Sequence, residues 1–395
     1  MIYLDHNATT PLDPRVRAAM QPWLSELHGN PSSPHAAGRQ ARQAVEAARE
    51  QVAALIGGQA SEILFTASGT EANNTVIYGT TRRCGFRGHL VTTLLEHPSV
   101  RQAAQWATQQ QPTSQQSEQS ARLGVRVTEL TPGSNGCVSP ETVEAALEAD
   151  TRLVCSMHAN NELGTVQPVA GIAEGCRRHG VPVLCDAVQA IGKIRVDVGE
   201  LGVDYLTLAG HKFHGPSGVA ALWIRRGAEL EPLLRGGAQE GGRRASTENV
   251  PAIVGLGEAA ALARAELDDR AAHLRTLRDQ FEAGLGAIPE SVVHCTASER
   301  LPHTSHVAFS GVSGYELMLR LDAAGIAVST GSACHAGEPQ ASAAVVATGV
   351  SAREALASLR VSFGMTNTPE DVTALLAALS RAVEPLRASR AALAV

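Results

Sequence analysis

The chain has 395 residues, 44% of them hydrophobic, and a formal net charge of -6. That length exceeds a single core and predicts two domains, while a mildly acidic balance with no clustered basic stretch argues against nucleic-acid binding. No apolar run reaches the ~18 residues of a membrane span, and the start, Ile2-Tyr-Leu-Asp5, lacks the charged-then-apolar pattern of an export signal.

In chain order, Pro34–Ile56 reads as a long amphipathic helix. Ala41, Ala44, Val45, Ala48, Val52 and Leu55 share its apolar face, and Arg42, Glu46, Arg49 and Glu50 a solvated one. Next comes Glu62–Asn74, a strand at Ile63–Thr66, a small-residue turn through Gly69, and a helix. Backbone amides at that helix start, with the Thr70 hydroxyl, suit an anion such as a phosphate. Ser68-Gly-Thr-Glu71 is also an ordinary helix cap. Strands are expected near Ile63, Leu90, Val125, Leu153, Val183, Tyr205 and Ala220. Helical patterns separate them, so the sheet should be mostly parallel and seven-stranded. Gln109–Ser120 is polar and of low complexity, and is expected to be a disordered or mobile surface insertion.

Val181–Gln189 is a short apolar run ending in an acid, Asp186, as expected of a buried parallel strand with its functional residue at the carboxyl end. Tyr205–Gly218 places Lys212 between an apolar strand and a glycine-rich turn. A lysine there can be desolvated, lose its proton and form a Schiff base. In open α/β sheets ligands bind outside the carboxyl strand ends. A Schiff-base lysine with an aspartate to hold a pyridinium nitrogen is the pair that pyridoxal phosphate requires. Glu258 to about Gly284 reads as an Ala-rich, charged helix leading to a smaller α+β domain with Cys334 and Arg360. The expected division is 16–257 against 1–15 with 258–395. Val328–Gly337 embeds Cys334 among Gly, Ser and Ala, where a thiolate could reach a bound substrate. The other six cysteines read as small buried hydrophobes. The seven form no CxxC pair or disulfide framework, so neither a metal nor a disulfide is indicated and a reducing, cytoplasmic compartment is expected.

Further segments carry a resemblance. They are Tyr3-Leu-Asp-His-Asn-Ala-Thr-Thr-Pro11, Gly29-Asn-Pro-Ser-Ser33 with His35, Gly38 and Arg39, Glu96-His-Pro-Ser-Val100, Asn160-Asn-Glu-Leu-Gly-Thr-Val-Gln-Pro168 and Ser246-Thr-Glu-Asn249. With the Lys212, Asp186 and Cys334 segments, they resemble the cysteine desulfurases and selenocysteine lyases over nearly the whole chain. These are pyridoxal-phosphate enzymes of the class V aminotransferase fold, an α/β, aspartate aminotransferase-like architecture.

The resemblance implies roles. Lys212 would hold the cofactor and shuttle the substrate α-proton. Asp186 would pair with the ring nitrogen, Gln189 would touch the ring hydroxyl, and His97 would stack on the ring. Gly69, Thr70 and His211 would bind the phosphate, with Thr247 reaching over in a homodimer. Arg360, assisted by Asn161, would clamp the substrate carboxylate. Cys334 would take the sulfur of L-cysteine as a persulfide, leaving L-alanine, for iron–sulfur cluster or thio-cofactor synthesis by way of an acceptor protein. Four positions depart from the pattern: Ala209 for a phosphate-binding serine, Gly241 for an arginine, Ser246 for a glycine, and His6 for an asparagine. Ala333-Cys-His335 is similar to selenocysteine lyases, whereas Pro98 is similar to desulfurases. A selenocysteine-specific lyase is therefore the alternative, and a non-catalytic scaffold homologue a remote one. An aminotransferase would leave Cys334 without a role.

Overall fold

The computed structural model describes residues 1–110, 124–331 and 340–393, with 389–393 as backbone alone. Both the Cys334 loop and, beyond Gln110, the Gln/Ser-rich tract lie outside the described residues.

The strands in chain order are β1 (Ile2–Tyr3), β2 (Ile63–Thr66), β3 (Gly88–Thr93), β4 (Val125–Leu130), β5 (Thr151–Met157), β6 (Val183–Asp186), β7 (Tyr205–Ala209), β8 (Ala220–Ile224), β9 (Ser291–Val293), β10 (Thr304–Phe309), β11 (Ile326–Ala327) and β12 (Ser358–Ser362). A seven-stranded sheet has the order β2-β8-β7-β6-β5-β3-β4. It is parallel from β7 to β4, and only β8 runs antiparallel to its neighbours. Strands β2, β3, β6, β7 and β8 are buried at every position, which is why β2, β6, β7 and β8 are largely apolar rather than alternating, while β3 buries His89, Thr92 and Thr93 as well. Helices cover both faces, and separate apolar cores form on the two sides. A third core, around Leu4, Phe281, Phe309, Leu359 and Phe363, joins the antiparallel sheet β12-β10-β9 to the helices Leu267–Gly284, Gly314–Ala323 and Pro369–Leu393. Among the described residues no helix is long and apolar enough to cross a membrane.

Three expectations need correction. The helix expected over Pro34–Ile56 runs Ala36–Leu55, because His35 caps it by accepting from Gly38 N at 3.2 Å. Its Arg49 is not solvated. Its guanidinium holds the Glu240 carboxylate at 2.7 and 2.8 Å, donates to Ile63 O at 3.0 Å, and lies 4.7 Å from the Phe65 ring centroid. The helix expected from Glu258 starts earlier, at Val250, where the Asn249 side chain caps it and Pro251 sits in the first turn. It ends at Ala265, and Leu267–Gly284 is a second helix. The Glu266 carboxylate at the break is held by Arg15 and Arg270.

The cysteines divide. Cys155, Cys176 and Cys185 are buried, whereas Cys84, Cys137 and Cys295 are only half-buried. Cys295 stands in a turn at φ +57°, and Cys137 donates to Val166 O at 3.4 Å. Cys137 thus meets a loop carbonyl, while Cys295, though half-buried, still packs against the core on one face of the sheet.

Candidate active site

Asp186 ends β6 opposite Thr207 of β7, and Lys212 closes the single turn Gly210–Lys212 that follows β7. Both stand at the carboxyl ends of adjacent parallel strands, where an open α/β sheet leaves its crevice. They line one cleft of about 190 Å³ with Gly69, Thr70, His97, Asn161, Gln189 and His211.

Each group is held from behind. Lys212 Nζ donates to Asn7 O at 2.6 Å and Ala8 O at 2.8 Å. Burial, then the field of Arg360, lowers its pKa to about 8, against the opposing pull of Asp186 and Asp5. About a tenth of the amine is therefore neutral at pH 7, far more than for an ordinary lysine. Asp186 accepts from Val188 N at 3.0 Å and from Asn73 Nδ2 at 2.8 Å. The same Asn73 amide donates to Ser99 Oγ at 3.0 Å, and Ser99 Oγ meets His97 Nδ1 at 2.9 Å. His97 caps the helix Pro98–Thr108 by accepting from Ser99 N at 3.1 Å. Accepting through Nδ1 requires a bare nitrogen there, so the ring is neutral with its proton on Nε2. Burial lowers its pKa in the same sense. The ring is thus both a helix cap and a wall of the cleft.

Gly69 and Thr70 open the helix Gly69–Arg83, capped by Ser68 accepting from Glu71 N at 3.1 Å. A Cβ on Gly69 would meet Val188 Cγ2 at 3.1 Å, so any larger residue there must push that side chain aside. His211 Nδ1 lies 3.1 Å from Thr9 Oγ1, and burial with the charges of Lys212 and Lys193 lowers its pKa to about 4. Arg360 on β12 is buried, reaching Asn161 O at 2.9 Å and pairing with Asp5. Thr247 is exposed and is not among the residues lining the cleft.

The Aminotransferase class-V family profile matches residues 2–375. The chain belongs to the class-V aminotransferase family. The cysteine desulfurase IscS of Dictyoglomus turgidum is 40% identical over 388 residues, covering 98% of this chain and 95% of that protein. A solved structure titled NifS-like protein superposes with a TM-score of 0.87 at 34% identity, covering 96% of this chain and 98% of that one. Another, titled SspA in complex with cysteine, has a TM-score of 0.79 at 33% identity, covering 93% and 100%. The expected fold, a mostly parallel seven-stranded sheet joined to a smaller α+β unit, is the one observed.

The departures of this class-V aminotransferase now have surroundings. Ala209 presents only a methyl to the cleft wall. Ser246, where the resemblance expects a glycine, stands at φ +106°, a region that favours glycine. A side chain in that region stores about 1 kcal/mol or more. Ser246→Gly is expected to raise unfolding stability by about 1 kcal/mol in urea denaturation, and an unchanged or lowered value would refute the strain. The segment Gln239–Gly242 uses its acid, Glu240, to hold Arg49, while Arg244 pairs with Glu71. His6 is buried against the backbone of Gly364.

Sequence reasoning missed Asn73, Ser99 and Asn7. Asn73 lies one helical turn beyond Thr70 and so shares its face, a signal that was available. Ser99 follows His97 by two residues. Asn7 acts through its carbonyl, to which Lys212 and Gln189 both donate, and no residue pattern announces that.

Proposed function

We propose that this class-V aminotransferase is a pyridoxal 5'-phosphate-dependent cysteine desulfurase, which converts L-cysteine to L-alanine and passes the sulfur to Cys334 for iron–sulfur cluster or thio-cofactor synthesis. The observation that carries the reading is the pairing of Lys212 and Asp186 across one cleft. Relatives named cysteine desulfurase narrow it from the wider family.

The cleft fits the cofactor. Lys212 offers a partly neutral amine to its carbonyl carbon, and Asp186 a carboxylate to its ring nitrogen. Gln189 Oε1 is buried without a hydrogen-bond partner among the described residues, which suits the ring hydroxyl. A neutral His97 offers a flat face. The helix start at Gly69 and Thr70, with His211 and with Thr247 of the partner subunit in a homodimer, suits the phosphate. When bound, the cofactor supplies an electron sink for the substrate α-carbon. Arg360 and Asn161 then hold the substrate carboxylate, and Lys212 Nζ takes and returns the α-proton. The Cys334 thiolate attacks the substrate sulfur. The carbon–sulfur bond breaks, its carbon is protonated, and the sulfur stays on Cys334 as a persulfide. Cysteine plus a thiol becomes alanine plus a persulfide, with no external oxidant. Cytoplasmic location, a sulfur-acceptor protein, and a division into 16–257 and 1–15 with 258–395 belong to the same proposal.

The test is release of alanine, sulfide and selenide from L-cysteine and L-selenocysteine, wild type beside Cys334→Ala. Activity on cysteine that the variant loses supports the reading. Activity on selenocysteine alone would move the protein to the lyase reading, which Cys334-His335 favours. A protein that binds cofactor yet turns over neither substrate would sink both. At the phosphate end, Ala209→Ser should tighten cofactor binding about tenfold, one charge-assisted hydrogen bond's worth. Titration by visible absorbance reads this, and no change would show that the hydroxyl has no phosphate to meet.

A further inference from the structure

A second cavity, of about 20 Å³, lies against the segment Lys212–His214. That is room for a single water-sized occupant. Its walls carry Lys193, His6, His214, His303 and Arg270, and no carboxylate lines it among the described residues. Arg270 has its own partner, since Glu266 takes its guanidinium at 2.6 and 3.0 Å. His214 Nδ1 lies 3.0 Å from Pro11 O. The other groups are not balanced. Lys193 is 5% exposed, and its Nζ donates to Lys212 O at 2.7 Å. An ammonium has three donors, and no further acceptor for it is found among the described residues. His303 is fully buried, and neither ring nitrogen has a hydrogen-bond partner among the described residues.

With Arg270 paired to Glu266, Lys193 is left buried with no carboxylate beside it among the described residues, and an ammonium in that state is costly. It can shed a proton or take an anion. A cation is disfavoured by Lys193 and Arg270, and no three His, Cys, Asp or Glu side chains converge to hold one among the described residues. Neutral His6 and His303 each bring a donor and a bare nitrogen that a water can meet, but a water leaves the Lys193 ammonium without a counter-charge, whereas an anion supplies one. We propose that this chamber is a binding site for one small monovalent anion of halide size, held by Lys193 and His303. The titration of the cluster is consistent with this. Burial, then Lys212 and Arg270, lowers the Lys193 pKa to about 7. Burial and the neighbouring cations lower His6 to about 4 and His303 well below its ordinary range. An anion would offset those causes, so it should enter with proton uptake. Because Lys193 also grips the Lys212 carbonyl, the occupant would brace the turn that carries Lys212. The site itself does not depend on the desulfurase reading.

Bromide is the probe. Crystals of the cofactor-loaded protein grown in sodium bromide should give an anomalous peak between Lys193 Nζ and the His303 ring. In solution, the same protein should show a saturable rise in melting temperature in bromide over gluconate at equal ionic strength. Lys193→Met and His303→Gln should each lose that rise, and the two variants guard against one failing to fold. A chamber with no anomalous signal overturns the proposal, as does a wild type indifferent to bromide. A peak without a saturable effect means binding at crystal concentration only, and a rise that survives in both variants places the anion elsewhere. Either result also refutes the site.

Discussion

Lys212→Ala should lower alanine formation from L-cysteine by about 10²–10⁴-fold, the range lost when a positioned proton-transfer group is removed. No second lysine lines the cleft among the described residues. Lys193 is depressed further in pKa, to about 7, but its Nζ is tied to the Lys212 carbonyl at 2.7 Å and lines the other chamber. Lys212→Arg should be nearly as inactive, because a guanidinium keeps the charge but cannot give up its proton. Retention of more than a tenth of the activity in either variant would remove Lys212 from the chemistry. The lysine also leaves a mark without substrate. Its pKa of about 8 in the folded chain lies below the 10.5 of an ordinary lysine. Between those values the unfolded chain binds more protons, so this group makes stability rise with pH across that window. Lys212→Met, in cofactor-free protein, should lack that part of the slope in denaturant melts. Identical slopes would mean that the ammonium is not desolvated.

The second large effect is on stability. Glu240→Ala should cost about 3 kcal/mol in urea unfolding, because it removes the buried partner of the Arg49 guanidinium and leaves it only the half-exposed Glu46 carboxylate at 3.2 Å. Glu240 also accepts from Phe65 N at 3.0 Å, so the change leaves a β2 donor unsatisfied as well. Replacing both partners, as Arg49→Met with Glu240→Met, should recover most of the loss, since an apolar pair of similar volume avoids the stranded charge. A single-variant loss under about 1 kcal/mol would show that water reaches Arg49.

These two pairs differ in how visible they were beforehand. Lys212 and Asp186 could be read because parallel strands buried on both faces are written as apolar runs, and a charged residue at the end of such a run stands out. The same rule marks the inner strands β6 and β7, whereas β4, Val125-Arg-Val-Thr-Glu-Leu130, is half-buried and alternates instead. Arg49 sits at a polar position of a helical period, and nothing near it in sequence marks Glu240, 191 residues away. Local periodicity assigns a face to solvent without knowing what later chain will cover it. The break at Glu266 was hidden likewise, because two arginines on separate segments take that carboxylate. The links from His97 to Asp186 through Ser99 and Asn73 depend on two helices meeting, which spacing within either helix cannot show.

Burial of the three inner cysteines has a chemical result. Burial raises the Cys176 thiol to about 12, and raises Cys155 and Cys185, which flank the sheet beside Asp186, well above their ordinary range. A thiol that stays protonated is a poor nucleophile and a poor acceptor of sulfur. The sheet that carries Asp186 is therefore insulated, and reactive sulfur generated at its edge finds no wire inward through these side chains.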